Sequence, residues 1–220
     1  MTTSLITGAN RGIGLELCRT LKALGHHVIA VCRQSSPELE QLAVRVEADV
    51  DVGAEGSLRA LGQRLSGTHI DWLVANAGIL RADTLGSLNR GALREQLEIN
   101  ALGALFTVES LLPQLGRGSK IALITSRMGS IGDNSSGGYY GYRMSKAALN
   151  AAGVSLAHDL RAREIAVVML HPGYVRTDMT AHSGSTEPRE AARMLVQRIE
   201  ELSLASSGSF LHANGERLPW

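Results

Sequence analysis

In Tyr142-Arg143-Met144-Ser145-Lys146 a phenol and an ammonium stand four residues apart, a spacing that puts both on one face of a helix. A phenol with an ordinary pKa near 10 exchanges protons poorly at neutral pH, but a cation held beside it favours the phenolate. At about 4 Å and an effective dielectric of about 20 the attraction is on the order of 4 kcal/mol, or roughly three pKa units. Such a pair can move a proton. Tyr139 and Tyr140 compete for the role, yet four residues beyond them stand Arg143 and Met144, so only Tyr142 has the lysine. The spacing alone is common on helix surfaces, and its meaning depends on what the chain places around it.

A second chemical signal opens the chain. Thr7-Gly8-Ala9-Asn10-Arg11-Gly12-Ile13-Gly14 follows an apolar run and leads into an amphipathic segment. Glycines let a backbone turn sharply and approach a pyrophosphate, while the free N–H groups and dipole of a helix N-terminus favour negative charge. Between a strand and a helix this pattern predicts nucleotide binding. About twenty residues further on, a free ribose 2′-hydroxyl calls for a carboxylate and a 2′-phosphate for positive charge. The chain reads Val31-Cys32-Arg33-Gln34 there, with no acid and with an arginine whose fork suits a phosphate. NADP is therefore expected over NAD.

The elements that must position these groups follow from hydrophobic periodicity. Short runs rich in Val and Ile alternate with longer amphipathic segments, the pattern of parallel strands joined by crossover helices. Strands are expected at 4–7, 27–31, 43–46, 71–75, 120–125, 165–170 and 209–212, and helices at 12–24, 54–65, 89–98, 101–115, 142–161 and 187–201. With both faces covered, this is an α/β fold: a three-layer doubly wound parallel sheet of about seven strands, a Rossmann fold. The 220 residues suit one domain, 1–220. The stretch 126–141, rich in Gly, Ser and Asn, leaves the carboxyl end of a central strand, where ligands collect in open α/β sheets.

Composition narrows the function classes. A formal net charge of +1, with both signs scattered along the chain, leaves no footprint for nucleic acid or an anionic membrane. Cys18 and Cys32 form no disulfide framework and lack the paired histidines or carboxylates of a metal site, so no metal is expected. No apolar run is long enough to span a bilayer, and nothing before Thr3 reads as a signal peptide. The cytoplasm is the expected compartment.

The glycine spacing, Gly-x3-Gly-x-Gly, resembles that of the short-chain dehydrogenase/reductase family, and the chain carries further motifs of that family in order: Asn76-Ala77-Gly78, Asn100, Ser126, Tyr142 with Lys146, and Pro172-Gly173. Together they cover nearly the whole chain. The ending, Gly208-Ser209-Phe210-Leu211 to Gly215-Glu216-Arg217-Leu218-Pro219-Trp220, looks closest to the C-factor and sniffer-like carbonyl reductase branch. The resemblance implies an NADP-dependent oxidoreductase acting as a carbonyl reductase. The alternative from another class is a nucleotide-binding regulatory or signalling protein of the same fold with little turnover.

Residue by residue, the resemblance implies that Gly8, Asn10, Arg11, Gly12, Ile13 and Gly14 line the cofactor phosphates, with Arg11 approaching the 2′-phosphate opposite Arg33. Asp49-Val50 resembles the pair that fixes adenine, with Asp51 as a rival. Asn76, Ala77, Gly78, Pro172, Gly173, Val175 and Thr177 would flank the cofactor further along, the last two at the carboxamide. Tyr142 would be the acid, Lys146 its modulator and a ribose ligand, and Asn100 the holder of a water joining Lys146 to solvent. Ser126 would hold the substrate oxygen, although a long interval to Tyr142 leaves Ser130 as a rival. His171 reads as a structural hydrogen-bonder, and 179–190 as a short lid over a small carbonyl or alcohol substrate. Helices 101–115 and 142–160 are apolar on more than one face, and in the family they pair across a two-fold axis, which implies a homodimer or homotetramer.

Overall fold

The computed structural model describes residues 1–220. Seven strands form one sheet in the order β3-β2-β1-β4-β5-β6-β7: β1 (Thr3–Thr7), β2 (His27–Val31), β3 (Arg45–Glu47), β4 (Ile70–Ala75), β5 (Leu115–Ile124), β6 (Ala166–His171) and β7 (Ser209–His212). Every neighbouring pair is parallel. Strand order reverses between β1 and β4, in register at Leu5–Leu73 and Ile6–Val74, so a crevice opens at their carboxyl ends.

The seven helices are α1 (Gly12–Ala23), α2 (Pro37–Glu40), α3 (Glu55–Arg64), α4 (Arg90–Leu97), α5 (Gly103–Ser110), α6 (Tyr140–Asp159) and α7 (Pro188–Glu201). One core gathers Leu58 and Leu61 of α3, Val108 of α5 and Leu149 of α6 against Leu73, Leu123 and Val167 of the sheet. The other packs Leu17 and Leu21 of α1 and Leu195 and Ile199 of α7 on Ile6, Val74 and Val168. Each such side chain taken out of water contributes about 1.5–3 kcal/mol, which is why the central strands read as continuous apolar runs.

Three boundaries depart from the periodicity. The helices expected at 89–98 and 101–115 are one rod, joined through a π-helical turn at Glu98–Leu102. The rod ends at Ser110 and β5 begins at Leu115, because a turn at Leu112–Gln114 carries Pro113. The third strand starts at Arg45 and not at residue 43, since Ala43 has a left-handed backbone, φ +47°. Helix α2 escaped the periodicity, although Ser36 caps it by accepting from the Leu39 N–H and Pro37 occupies its first turn.

Candidate active site

Tyr142 lies in the first turn of α6 and Lys146 one turn later, both buried. The Lys146 Nζ lies 5.7 Å from the Tyr142 ring centre and donates to the Ile124 carbonyl at 2.8 Å. Burial raises Tyr142 to about 12, opposed by the nearby Ser126 hydroxyl, and burial lowers Lys146 to about 8. The spacing predicted a depressed phenol, and the sign is opposite. The reason is desolvation: both groups are shut from water, and the ammonium is spent on a carbonyl of β5 instead of on the phenol.

Ser126 lies two residues past the end of β5, buried, with its oxygen accepting from the Met128 N–H at 3.1 Å. Ser130 is buried as well, but its hydroxyl donates to the Trp220 carbonyl at 3.1 Å and accepts from the Asp133 N–H at 3.0 Å. The fold thus brings Ser126 to Tyr142 and commits Ser130 to the tail. The short turn Arg127–Gly129 seats this loop on α6, where Gly129 leaves no room for a side chain: a Cβ there would stand 2.7 Å from the Lys146 carbonyl carbon.

Asn100 sits within the π turn. Its Oδ1 accepts from the Ile79 N–H at 2.8 Å, and its Nδ2 donates to the Ile79 carbonyl at 2.8 Å and to Ser145 Oγ at 3.0 Å. Ser145 in turn donates to the Tyr142 carbonyl. The amide therefore ties the loop after β4 to the helix of the tyrosine. Gly78 borders the same space: a Cβ on it would lie 3.1 Å from Asn100 Oδ1 and 3.6 Å from Lys146 Nζ. A wider turn in a helix is a common way of turning one side chain inward.

Across the crevice, Gly8 and Gly12 have φ of +66° and +53°, which only glycine adopts without strain. Gly14 packs so closely on the Gly8 carbonyl that any Cβ would collide with it. Asn76 closes the loop from β4, donating from Nδ2 to the Thr7 carbonyl at 3.0 Å and to that of Gly8 at 3.2 Å. Thr7 Oγ1 accepts from the N–H groups of Asn76 and Ala77, a joint that the motif reading overlooked. No side chain caps α1 and no acid lies in its first turn, so its N-terminus, from Gly12 through Ile13 and Gly14, remains open to an anion.

Arg33 is exposed just past β2, and Arg11 lies exposed in the glycine loop, 3.5 Å from the Asp178 carboxylate. Ser36 donates to the Asn10 carbonyl at 2.7 Å, which draws the segment after Arg33 against that loop. Ser35, unmarked by any motif, buries its hydroxyl oxygen there with no partner. An uncapped helix end, two arginines and an unpartnered hydroxyl fit a phosphate-bearing dinucleotide. At the position expected to meet adenine, Asp49 is exposed and Val50 buried, whereas Asp51 is engaged by the Gly53 N–H at 2.9 Å.

Beyond β6, Pro172 and Val175 are buried, and Gly173 takes φ +91°. Thr177 approaches the glycine loop: a Cβ on Gly12 would lie 3.4 Å from its methyl group. Within the segment 179–190 expected as a lid, Thr186 pairs back onto Val175 and Pro188 begins α7. His171 does not make the structural hydrogen bond expected of it through Nδ1, which is buried without a partner. Its ring meets His212 edge to face at 5.1 Å, and burial first, then His212, Arg127 and Lys146, lowers it to about 3.

The family model for short chain dehydrogenases matches residues 2–188. The chain is 42% identical, over all of both chains, to the 1-hydroxy-2-glutathionyl-2-methyl-3-butene dehydrogenase of Rhodococcus sp. (strain AD45). It superposes on the carbonyl reductase Sniffer of D. melanogaster with a TM-score of 0.93 at 31% identity, covering both chains entirely. The NADPH-bound carbonyl reductase from chicken fatty liver matches with a TM-score of 0.89 at 30% identity, over all of this chain and 98% of that one.

Proposed function

This chain belongs to the short-chain dehydrogenase family, oxidoreductases acting on CH–OH and carbonyl groups, and from that premise we propose that it is an NADP(H)-dependent carbonyl reductase. The observation carrying this reading is the buried Ser126–Tyr142 hydroxyl pair beside Lys146, at the strand ends that also hold the glycine loop. Bound NADP(H) supplies or accepts the hydride. Tyr142 donates the proton to the substrate oxygen, on which Ser126 places a second hydroxyl. Lys146 binds the ribose and restores the Tyr142 proton, and Asn100 holds the water that links Lys146 to solvent.

In the same reading Arg33, Arg11 and Ser35 take the 2′-phosphate, while Asp49 and Val50 hold adenine. Gly8, Asn10, Gly12, Ile13 and Gly14 line the pyrophosphate. Asn76, Ala77, Gly78, Pro172, Gly173, Val175 and Thr177 flank the ribose and nicotinamide. The working unit is a cytoplasmic homodimer or homotetramer on a 1–220 domain. No helix is long and apolar enough to cross a membrane. The Rhodococcus relative's name makes a glutathione-conjugated alcohol a substrate class to include beside simple carbonyls.

The test follows cofactor absorbance with a panel of aldehydes, ketones and a glutathionyl alcohol, using NADP(H) and NAD(H), on the parent and Tyr142→Phe. Expected are turnover with NADPH, a preference over NADH that collapses in Arg33→Ala, and a loss of about 10²–10⁴-fold in Tyr142→Phe. A preference for NADH would remove the role of Arg33 and Arg11. Cofactor binding with no turnover on any substrate would favour a regulatory protein of this fold.

A further inference from the structure

The catalytic helix begins on a residue that no motif marks. Asp83 lies in the loop after β4, buried, and it meets three consecutive backbone N–H groups at the start of α6. Its carbonyl accepts from Tyr139 at 2.9 Å, its Oδ1 from Tyr140 at 2.6 Å and its Oδ2 from Gly141 at 3.1 Å. These are donors that a helix N-terminus leaves without partners, and Tyr142 is the next residue. Tyr139 has no side-chain cap of its own to offer and sits at φ +50°, a conformation that a non-glycine residue holds only when its surroundings enforce it.

The contact is closed on its other side too. Gln96 of the α4 rod accepts from the Arg81 N–H at 2.9 Å and packs against Gly141 so closely that any Cβ there would meet its amide. The same short loop carries Asn76 and Ala77, bound to Thr7 of the glycine-loop strand, and Ile79, bound twice to Asn100. One segment, 76–83, thus spans from the glycine loop to the first turn of the tyrosine helix.

We infer that Asp83 is a positioning residue for the proton donor: by seating the first turn of α6 it sets where the Tyr142 hydroxyl stands relative to Ser126 and to the cofactor held by the same loop. This rests on the reductase reading above. It predicts that loss of Asp83 slows the chemical step far more than it weakens cofactor binding, because the glycine loop and Arg33, which hold the phosphates, make no contact with it.

Asp83→Ala, Asp83→Asn and the parent are compared in NADPH affinity by fluorescence, in kcat and KM, in the primary isotope effect with 4-deuterated NADPH, and in amide exchange across 139–142. Expected for Asp83→Ala are a fall in kcat of tenfold or more, cofactor affinity within about twofold, a larger isotope effect as chemistry becomes limiting, and faster exchange at 140 and 141. Asp83→Asn, which keeps an acceptor, recovers part of kcat; it also carries the test if the alanine variant does not fold. Unchanged kcat and isotope effect in a folded variant would overturn the inference, as would a loss of activity that only tracks the folded fraction. A parent without turnover would count against the reductase reading instead, and unchanged exchange at 140 and 141 would then reject Asp83 on its own.

Discussion

Tyr142 and Lys146 illustrate what a four-residue spacing leaves open. Their common face is a property of any helix, but the sign of each pKa shift depends on how much water the fold leaves them, and the fold leaves almost none. Lys146 has a folded pKa of about 8 against 10.5 when exposed, so between those values the unfolded chain binds the proton more tightly and stability rises with pH. Below about pH 8 the burial penalty is fully present, worth roughly 3 kcal/mol, of which the Ile124 hydrogen bond returns about 1 kcal/mol on replacement. Lys146→Met should therefore stabilise the cofactor-free protein at pH 7 by about 2 kcal/mol while abolishing turnover; denaturant unfolding checks the first and the absorbance assay the second. Tyr142, raised to about 12, has the opposite sign: its contribution is intact below pH 10 and lost towards pH 12. The phenol is thus loaded as an acid at neutral pH, and alcohol oxidation, which needs the phenolate, should speed up with rising pH while carbonyl reduction does not.

Elements convert those residues into a site, and here the motifs were legible while their joints were not. Asn100 is readable as a motif, yet its place in a π turn is not, because the partners of its amide, Ile79 and Ser145, lie 21 and 45 positions away along the chain. Ser126 and Ser130 are chemically equivalent in the sequence; the strand end delivers one to Tyr142 and the tail takes the other through the Trp220 carbonyl. Ser35 and Asp83 had no signal beyond residue type. The joint at Gly129 gives a direct test of the loop's seating. In Gly129→Ala the new methyl faces backbone of α6 that has nowhere to retreat, so a cost of about 1–3 kcal/mol is expected with a larger drop in kcat than in cofactor affinity. Thermal unfolding and steady-state kinetics measure the two effects separately.

For the whole molecule, α5 and α6 still offer an outer surface after both cores are filled. Leu102 and Phe106 are 40% and 38% exposed, and Met144 is 44% exposed on the outward side of α6, which continues in the small residues Ala148, Ala151 and Ser155. An apolar stripe over small side chains suits a second copy related by a two-fold axis. Phe106→Asp should shift the protein towards monomer in light scattering behind size exclusion; an unchanged mass would place any assembly on another face. The fold class, the order of the strands along the chain, the phosphate loop and the tyrosine–lysine pair were determined by the sequence itself, because glycine conformation and hydrophobic period act locally and need no partner to be read. Which serine meets the tyrosine, the direction in which the phenol titrates, the inward turn of Asn100 and the seating of α6 on Asp83 were decided only by the tertiary structure. Each depends on groups 16 to 58 positions apart being desolvated together, and burial of that kind belongs to the packed molecule and to no stretch of its chain.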